Sequence, residues 1–171
     1  MKFLKLDEIL LIMIFSISVL TSAQSQTIQS LDIEIVENYL EAAFSKNYEA
    51  QKSLMHPNII DYHPTVLEKP ANGKNTLIQG WKDTVKSMDS VRYTSHGIGG
   101  LAIKEGEHKG NWIVTIGEVT SYFKGSKTPI NSQMVGMYRI DNGLIKEVRN
   151  YGNLLDIYLQ LGFTLQPSKT N

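Results

Sequence analysis

The tripeptide Asp141-Asn142-Gly143, set between two runs rich in β-branched and aromatic residues, constrains this chain more than any other feature. Asn-Gly tolerates the positive φ angles of a tight hairpin turn, so Ile130–Ile140 and Leu144–Tyr151 read as antiparallel strands joined by it. Two further polar breaks, Lys124-Gly125-Ser126-Lys127 and Glu105 to Asn111, bracket a third run of the same kind, Trp112–Phe123. Consecutive strands joined by short loops pair as neighbours, which predicts an antiparallel meander in the C-terminal third. A fourth strand, Val91–Ile103, precedes it. Its alternation slips around Gly97, Gly99 and Gly100, which predicts a β-bulge that bends the sheet.

Helical periodicity dominates upstream. Ser30–Lys46 reads as an amphipathic helix capped by Ser30, with Ile33, Val36, Leu40, Ala43 and Phe44 on one stripe. A short second helix, Tyr48–Met55, is ended by His56-Pro57, because the residue before proline is pushed out of the helical region. Asn58–His63 reads as a short strand stopped by Pro64, and 65–73 as a loop. Lys74–Met88 forms the third helix, with Leu77, Ile78, Trp81, Val85 and Met88 spaced to lie on a sheet. The fold class is therefore α+β: a curved antiparallel sheet covered by three N-terminal helices, with a short C-terminal helix after the last strand.

The first residues read as a targeting segment. Lys2 and Lys5 precede the apolar run Ile9 to Leu20, too short to span a bilayer, and Thr21-Ser22-Ala23 supplies small residues for cleavage near Ala23. Asp7 and Glu8 weaken the basic start, so an uncleaved anchor stays open. The expected organisation is a signal peptide over 1–23, a linker over 24–30, one domain over 31–163 and a tail over 164–171. Such a protein is secreted or periplasmic, with no stable membrane span after cleavage. The chain has no cysteine and hence no disulfide. Its 17 basic residues balance 17 acidic ones, and no basic run with interleaved aromatics appears, so nucleic acid is not an expected partner.

The element order, Tyr62-His63-Pro64 after the first strand, and Gly143 to Tyr151 (GLIKEVRNY) running into Leu159-Gln160-Leu161-Gly162 resemble the SnoaL-like polyketide cyclases of the nuclear transport factor 2-like superfamily. The resemblance covers about Leu31 to Phe163. It implies a cone-shaped α+β barrel with a pocket under the helices, a small apolar ligand, and a homodimer through the sheet. Members include cyclases, dehydratases and isomerases that use acid–base residues without a cofactor, and many non-catalytic binding domains.

Candidate site residues follow from the strands. Alternation places Ile145, Glu147, Arg149 and Tyr151 on one face of the last strand, with Asn153 in phase beyond it. In the family pattern a tryptophan stands where Arg149 does, and an aspartate, the cyclases' proton-abstracting base, about where Asn153 does; an asparagine amide has no useful basicity. His63, where the family often carries a histidine, has a side chain that titrates near neutrality. Glu118 shares a face with Trp112, Val114, Ile116, Thr120 and Tyr122, and a carboxyl among such neighbours suits acid–base work; the other face (Ile113, Val119, Phe123) is nearly as apolar, so a surface or dimer-face glutamate is the alternative reading. His63, Glu118 and Tyr151 are thus the catalytic candidates, while Tyr62, Trp81, Ser132, Met134, Arg149 and Asn153 are candidates for ligand contact. His56, Asp61 and His63 have no recognised metal-ligand spacing, and no metal is expected. Nucleophile-elbow, P-loop, dinucleotide and zincin motifs are lacking, so no cofactor is expected either. Two readings stand: a cofactor-free acid–base enzyme acting on an apolar carbonyl compound, or an exported module that binds a small molecule or mediates dimerisation.

Overall fold

The computed structural model describes residues 30–62, 69–164 and 166. Among them, helix α1 covers 30–44 and α2 Tyr48–Ser53, and α3 runs Lys74–Lys86 and α4 Leu154–Gln160. The strands are β1 (Met55–Tyr62), β2 (Ala71–Asn72), β3 (Met88–Ile103), β4 (Gly110–Phe123), β5 (Ile130–Asp141) and β6 (Leu144–Gly152). They form one sheet in the order β2-β1-β6-β5-β4-β3. The segment expected to be a signal peptide, most of the expected linker, His63 and most of the expected tail lie outside the described residues, although residue 30, expected in the linker, is already helical. No described helix is long and apolar enough to cross a membrane.

The meander is present as the turns require. Asn142 (φ 51°) and Gly143 (φ 74°) both adopt left-handed backbone, the signature of the two-residue turn that matches strand twist. β3–β4, β4–β5 and β5–β6 all pair antiparallel. The sheet as a whole is mixed, because β1 joins β6 in parallel. β1 also starts earlier than expected: Met55, His56 and Pro57 belong to it, and α2 stops at Ser53. Ala71-Asn72, expected in a loop, pairs with the edge of β1. Met88 is the first residue of β3 rather than the last of α3.

Two bulges decide which side chains face the helices. In β3 the register shifts between Ser95 and Gly97, so Tyr93 and Ile98, of opposite parity, both pack against the core. In β6 the pairs Ile140–Ile145 and Arg139–Glu147 leave Lys146 as the extra residue. Ile145 therefore enters the core beside Val148, separated from Glu147 and Arg149, with which simple alternation had grouped it. Val36, Tyr39 and Leu40 of α1, Met55 and Ile59 of β1, and Leu77 and Ile78 of α3 meet Ile113, Tyr138, Ile140, Ile145 and Val148 of the sheet in one cluster. This burial against a single sheet face is what holds the helices in place.

Candidate functional site

The helix-covered face of the sheet carries polar groups where a purely structural core would have none. Register places Ile113, Thr115, Gly117 and Val119 of β4 opposite Tyr138, Gly136, Met134 and Ser132 of β5, with Val148 and Asn150 of β6 opposite Tyr138 and Gly136. Thr115 has 0% of its surface exposed and Gln51, reaching in from α2, has 3%. Among the described residues, Gln51 Oε1, Tyr93 Oη and Thr115 Oγ1 are buried without a hydrogen-bond partner. An orphaned buried hydroxyl or amide costs about 1–3 kcal/mol, so three of them on one side of a sheet call for an explanation.

Two glycines let these groups converge. A Cβ at position 117 would stand 2.4 Å from Tyr93 Cε2 and 2.5 Å from its hydroxyl. At position 136 it would stand 2.5 Å from the Tyr138 hydroxyl and 2.7 Å from Thr115 Oγ1. Gly117 and Gly136 lie diagonally across the β4–β5 pair, so the Tyr93 hydroxyl rests over one glycine and those of Tyr138 and Thr115 over the other. Tyr138 reaches on to Asn150 Oδ1, 3.3 Å away. Aromatic rings line the surroundings: Tyr39 meets Tyr138 edge-on at 5.9 Å, and Tyr93 stacks on Phe44 at 5.4 Å. Phe44 in turn meets Trp81 at 5.3 Å.

The phenols are held neutral. Burial pushes Tyr39 far above the ordinary phenol range and the Asp61 carboxylate adds to the shift, against a smaller opposing effect of Gln51. Burial does the same to Tyr138, reinforced by Tyr39. The nearby Thr115 hydroxyl offsets this slightly. Asp61 opposes Val148 across β1–β6 and so belongs to the helix-covered face.

The residues singled out from sequence divide between the two faces. Ser132 and Met134 share the register of the inner face, opposite Val119 and Gly117. Trp81 secures α3 to α1, its indole N–H donating to the Ala43 carbonyl at 2.8 Å. Glu118 is on the outer face, where it accepts a hydrogen bond from Gln133 Nε2 at 3.0 Å. Tyr151 lies opposite Val135 on that same face, half exposed. Asn153 caps α4, its side-chain oxygen accepting from the Asp156 N–H at 3.1 Å. His63 lies outside the described residues.

Arg149 belongs to an outer-face ion network. Glu147, 2% exposed, accepts from Arg149 Nε at 2.7 Å and Arg139 Nη2 at 2.8 Å. The Arg149 guanidinium sits 4.0 Å over the Tyr62 ring, and His108 Nδ1 stands 4.0 Å from the Glu147 carboxylate. The loop carrying His108 also accepts the Trp112 indole N–H at 2.8 Å, so Trp112 is buried although it faces away from the helices. Sequence reasoning read Tyr138 as core or pocket wall, beside Ser132 and Met134, and missed Gln51, Tyr93 and Thr115 as candidates. The available signal was Gly117 and Gly136, isolated glycines inside strands, which mark a close approach.

No family model matches the sequence, and no curated protein does. Solved structures do. One assigned as a SnoaL-like polyketide cyclase from Jannaschia sp. CCS1 superposes with TM-score 0.66 at 13% identity, over 81% of this chain and 96% of the other. A protein with a ketosteroid isomerase-like fold from Catenulispora acidiphila gives TM-score 0.63 at 17% identity, over 78% and 98%. An LEH-like epoxide hydrolase from M. tuberculosis gives 0.60 at 15%, over 78% and 90%. At such identities the likeness is one of fold: this chain shares the α+β arrangement of helices over a curved sheet seen in these structures.

Proposed function

We propose that this domain encloses a small, largely apolar molecule between its helices and the inner face of its sheet. The observation that carries this reading is a pair of buried, partnerless hydroxyls, Tyr93 Oη and Thr115 Oγ1, set against two glycines on one aromatic-lined face. Thermal shift against lipophilic carbonyl compounds, aromatic polyketides and sterols tests it. At least one class is expected to raise the melting temperature, and no rise across the panel overturns the reading.

A second reading, catalysis by proton transfer, is favoured by the position of Asp61, close enough to Tyr39 and Tyr138 to raise both. In such an enzyme Asp61 would take a proton from the carbon next to a carbonyl, and a neutral phenol would hydrogen-bond the enolate oxygen. Glu118 and Tyr151, on the outer face, would not reach that ligand. NMR of a bound ketone in deuterated water decides: α-proton exchange lost in Asp61→Asn supports an enzyme, and its absence in the wild type leaves a binding module.

We further infer that a second copy covers the outer face, where Ile116, Val135 and Tyr151 form a row exposed by 53%, 38% and 45%. Light scattering should give a dimer that Val135→Lys splits, and a wild-type monomer at micromolar concentration rules it out. The N-terminal sequence supports export. Mass spectrometry of the mature protein should find a start near Gln24, and an intact Met1 terminus in a soluble intracellular product would exclude export.

A further inference from the structure

Tyr93 and Tyr138 hydroxyls and Thr115 Oγ1 all lie against the Gly117–Gly136 patch, yet only Tyr138 has a partner there, Asn150. Each hydroxyl can donate one hydrogen bond and accept others. Thr115 is wholly buried, and the Tyr93 hydroxyl is equally closed off although its ring is partly exposed. The site is thus a set of neutral donors in an apolar frame.

Asp61 is the carboxylate that acts on the inner tyrosines, whereas Arg139 and Arg149 lie on the opposite face, engaged with Glu147. A carboxylate or phosphate entering the inner face would lose its hydration, gain no arginine, and approach Asp61. An uncharged oxygen needs only a donor, and the partnerless hydroxyls supply it.

We propose that Tyr93 and Thr115 form the specificity-determining receptor for an uncharged oxygen, a carbonyl or alcohol, on an otherwise apolar ligand, and that the site rejects the corresponding anion. This rests on the enclosure reading above and adds to it the polarity of the ligand and the residues that sense it. Gly117 and Gly136 are positioning residues: they hold the hydroxyls at the sheet surface, where any side chain would displace them. Tyr138, bonded to Asn150, sets the rear wall.

The experiment uses three naphthalenes of nearly equal size: 2-acetonaphthone, 2-ethylnaphthalene and 2-naphthoate. Affinities are measured by calorimetry on the wild type, Tyr93→Phe and Thr115→Val. The ketone should bind the wild type about tenfold more tightly than the hydrocarbon, the gain of one hydrogen bond to a buried orphan, and more tightly still than the carboxylate. Each variant should cut ketone affinity about five- to tenfold while changing hydrocarbon affinity less than about twofold. Equal ketone and hydrocarbon binding would overturn the receptor while leaving enclosure standing. Tightest binding of the carboxylate would reverse the polarity assigned here. Failure of all three to bind would remove enclosure itself, and the receptor with it. Thermal unfolding of the ligand-free variants supplies an independent arm: loss of stability in both would mean that the hydroxyls hold one another or an internal water, and would also overturn the assignment.

Discussion

Thr115→Val replaces a hydroxyl by a methyl of nearly the same shape at a position with no exposed surface. Because Thr115 Oγ1 has no hydrogen-bond partner among the described residues, the threonine carries the desolvation cost of its hydroxyl without a compensating bond. That cost is about 1–3 kcal/mol, and valine removes it while adding buried apolar surface. Against this stands the proximity of the Tyr138 hydroxyl, which the Thr115 hydroxyl influences slightly. The net expectation is a gain of about 1–2 kcal/mol in the ligand-free protein, or roughly 3–8 °C in melting temperature for a domain of this length. Urea unfolding followed by circular dichroism measures the first, and the midpoint should move without a change in slope. Tyr93→Phe should behave alike with a smaller gain, since its ring is partly exposed. A destabilisation of about 1 kcal/mol or more by Thr115→Val would show that the hydroxyl is satisfied, and the case for a waiting ligand site would lose its foundation. A stabilising variant that binds ligand less well is the combination expected where a protein keeps a cost for function.

Gly136→Ala should destabilise by about 1–3 kcal/mol through overpacking, since its Cβ would stand 2.5 Å from the Tyr138 hydroxyl; unchanged urea unfolding would mean that Tyr138 is free to move aside. Tyr39 and Tyr138 keep their protons in the folded chain well above the ordinary phenol value of 10.0. Stability should therefore be full below about pH 10 and fall above it by about 1.4 kcal/mol per pH unit for each tyrosine, and an ultraviolet titration should find two of the eight tyrosines ionising only on unfolding. Reversible ionisation of all eight near pH 10 in the folded state would contradict this. Glu147→Ala leaves Arg139 and Arg149 without their buried counter-charge, and with the two guanidinium groups about one-fifth exposed the loss should be about 2–4 kcal/mol; a change under about 0.5 kcal/mol in urea unfolding would show that the arginines simply turn to solvent. Gln160 holds α4 to β5 through two bonds with the Asn131 backbone, at 2.8 and 3.0 Å, and no residue of α4 is buried. Gln160→Ala should therefore speed amide exchange in α4 alone, and unaltered exchange there would mean that another contact anchors it.

The sequence by itself determined the local frame. Asn142-Gly143 can hardly be anything but a hairpin turn, and the runs on either side carry the residues that pleated surfaces accept, so β3 to β6 and their order followed. The glycines around residue 97 also announced a bulge, which register bears out. These are short-range facts: a turn dihedral and a period depend on neighbours along the chain. Tertiary structure decided which face each residue serves. A single unpaired residue at Lys146 reverses every side chain beyond it, so Ile145 and Glu147 part company with no mark in the composition. The parallel partnership of β1 with β6 was equally invisible, because it joins segments about ninety residues apart through a choice of edge. Glu118, on a strand apolar on both sides, could be assigned inward or outward only once α1 and α3 had covered the opposite face. Thr115 and Tyr93 look ordinary in a strand. Only packing, which sealed their hydroxyls from water over two glycines, sets them apart, because desolvation is a property of the assembled molecule rather than of any segment.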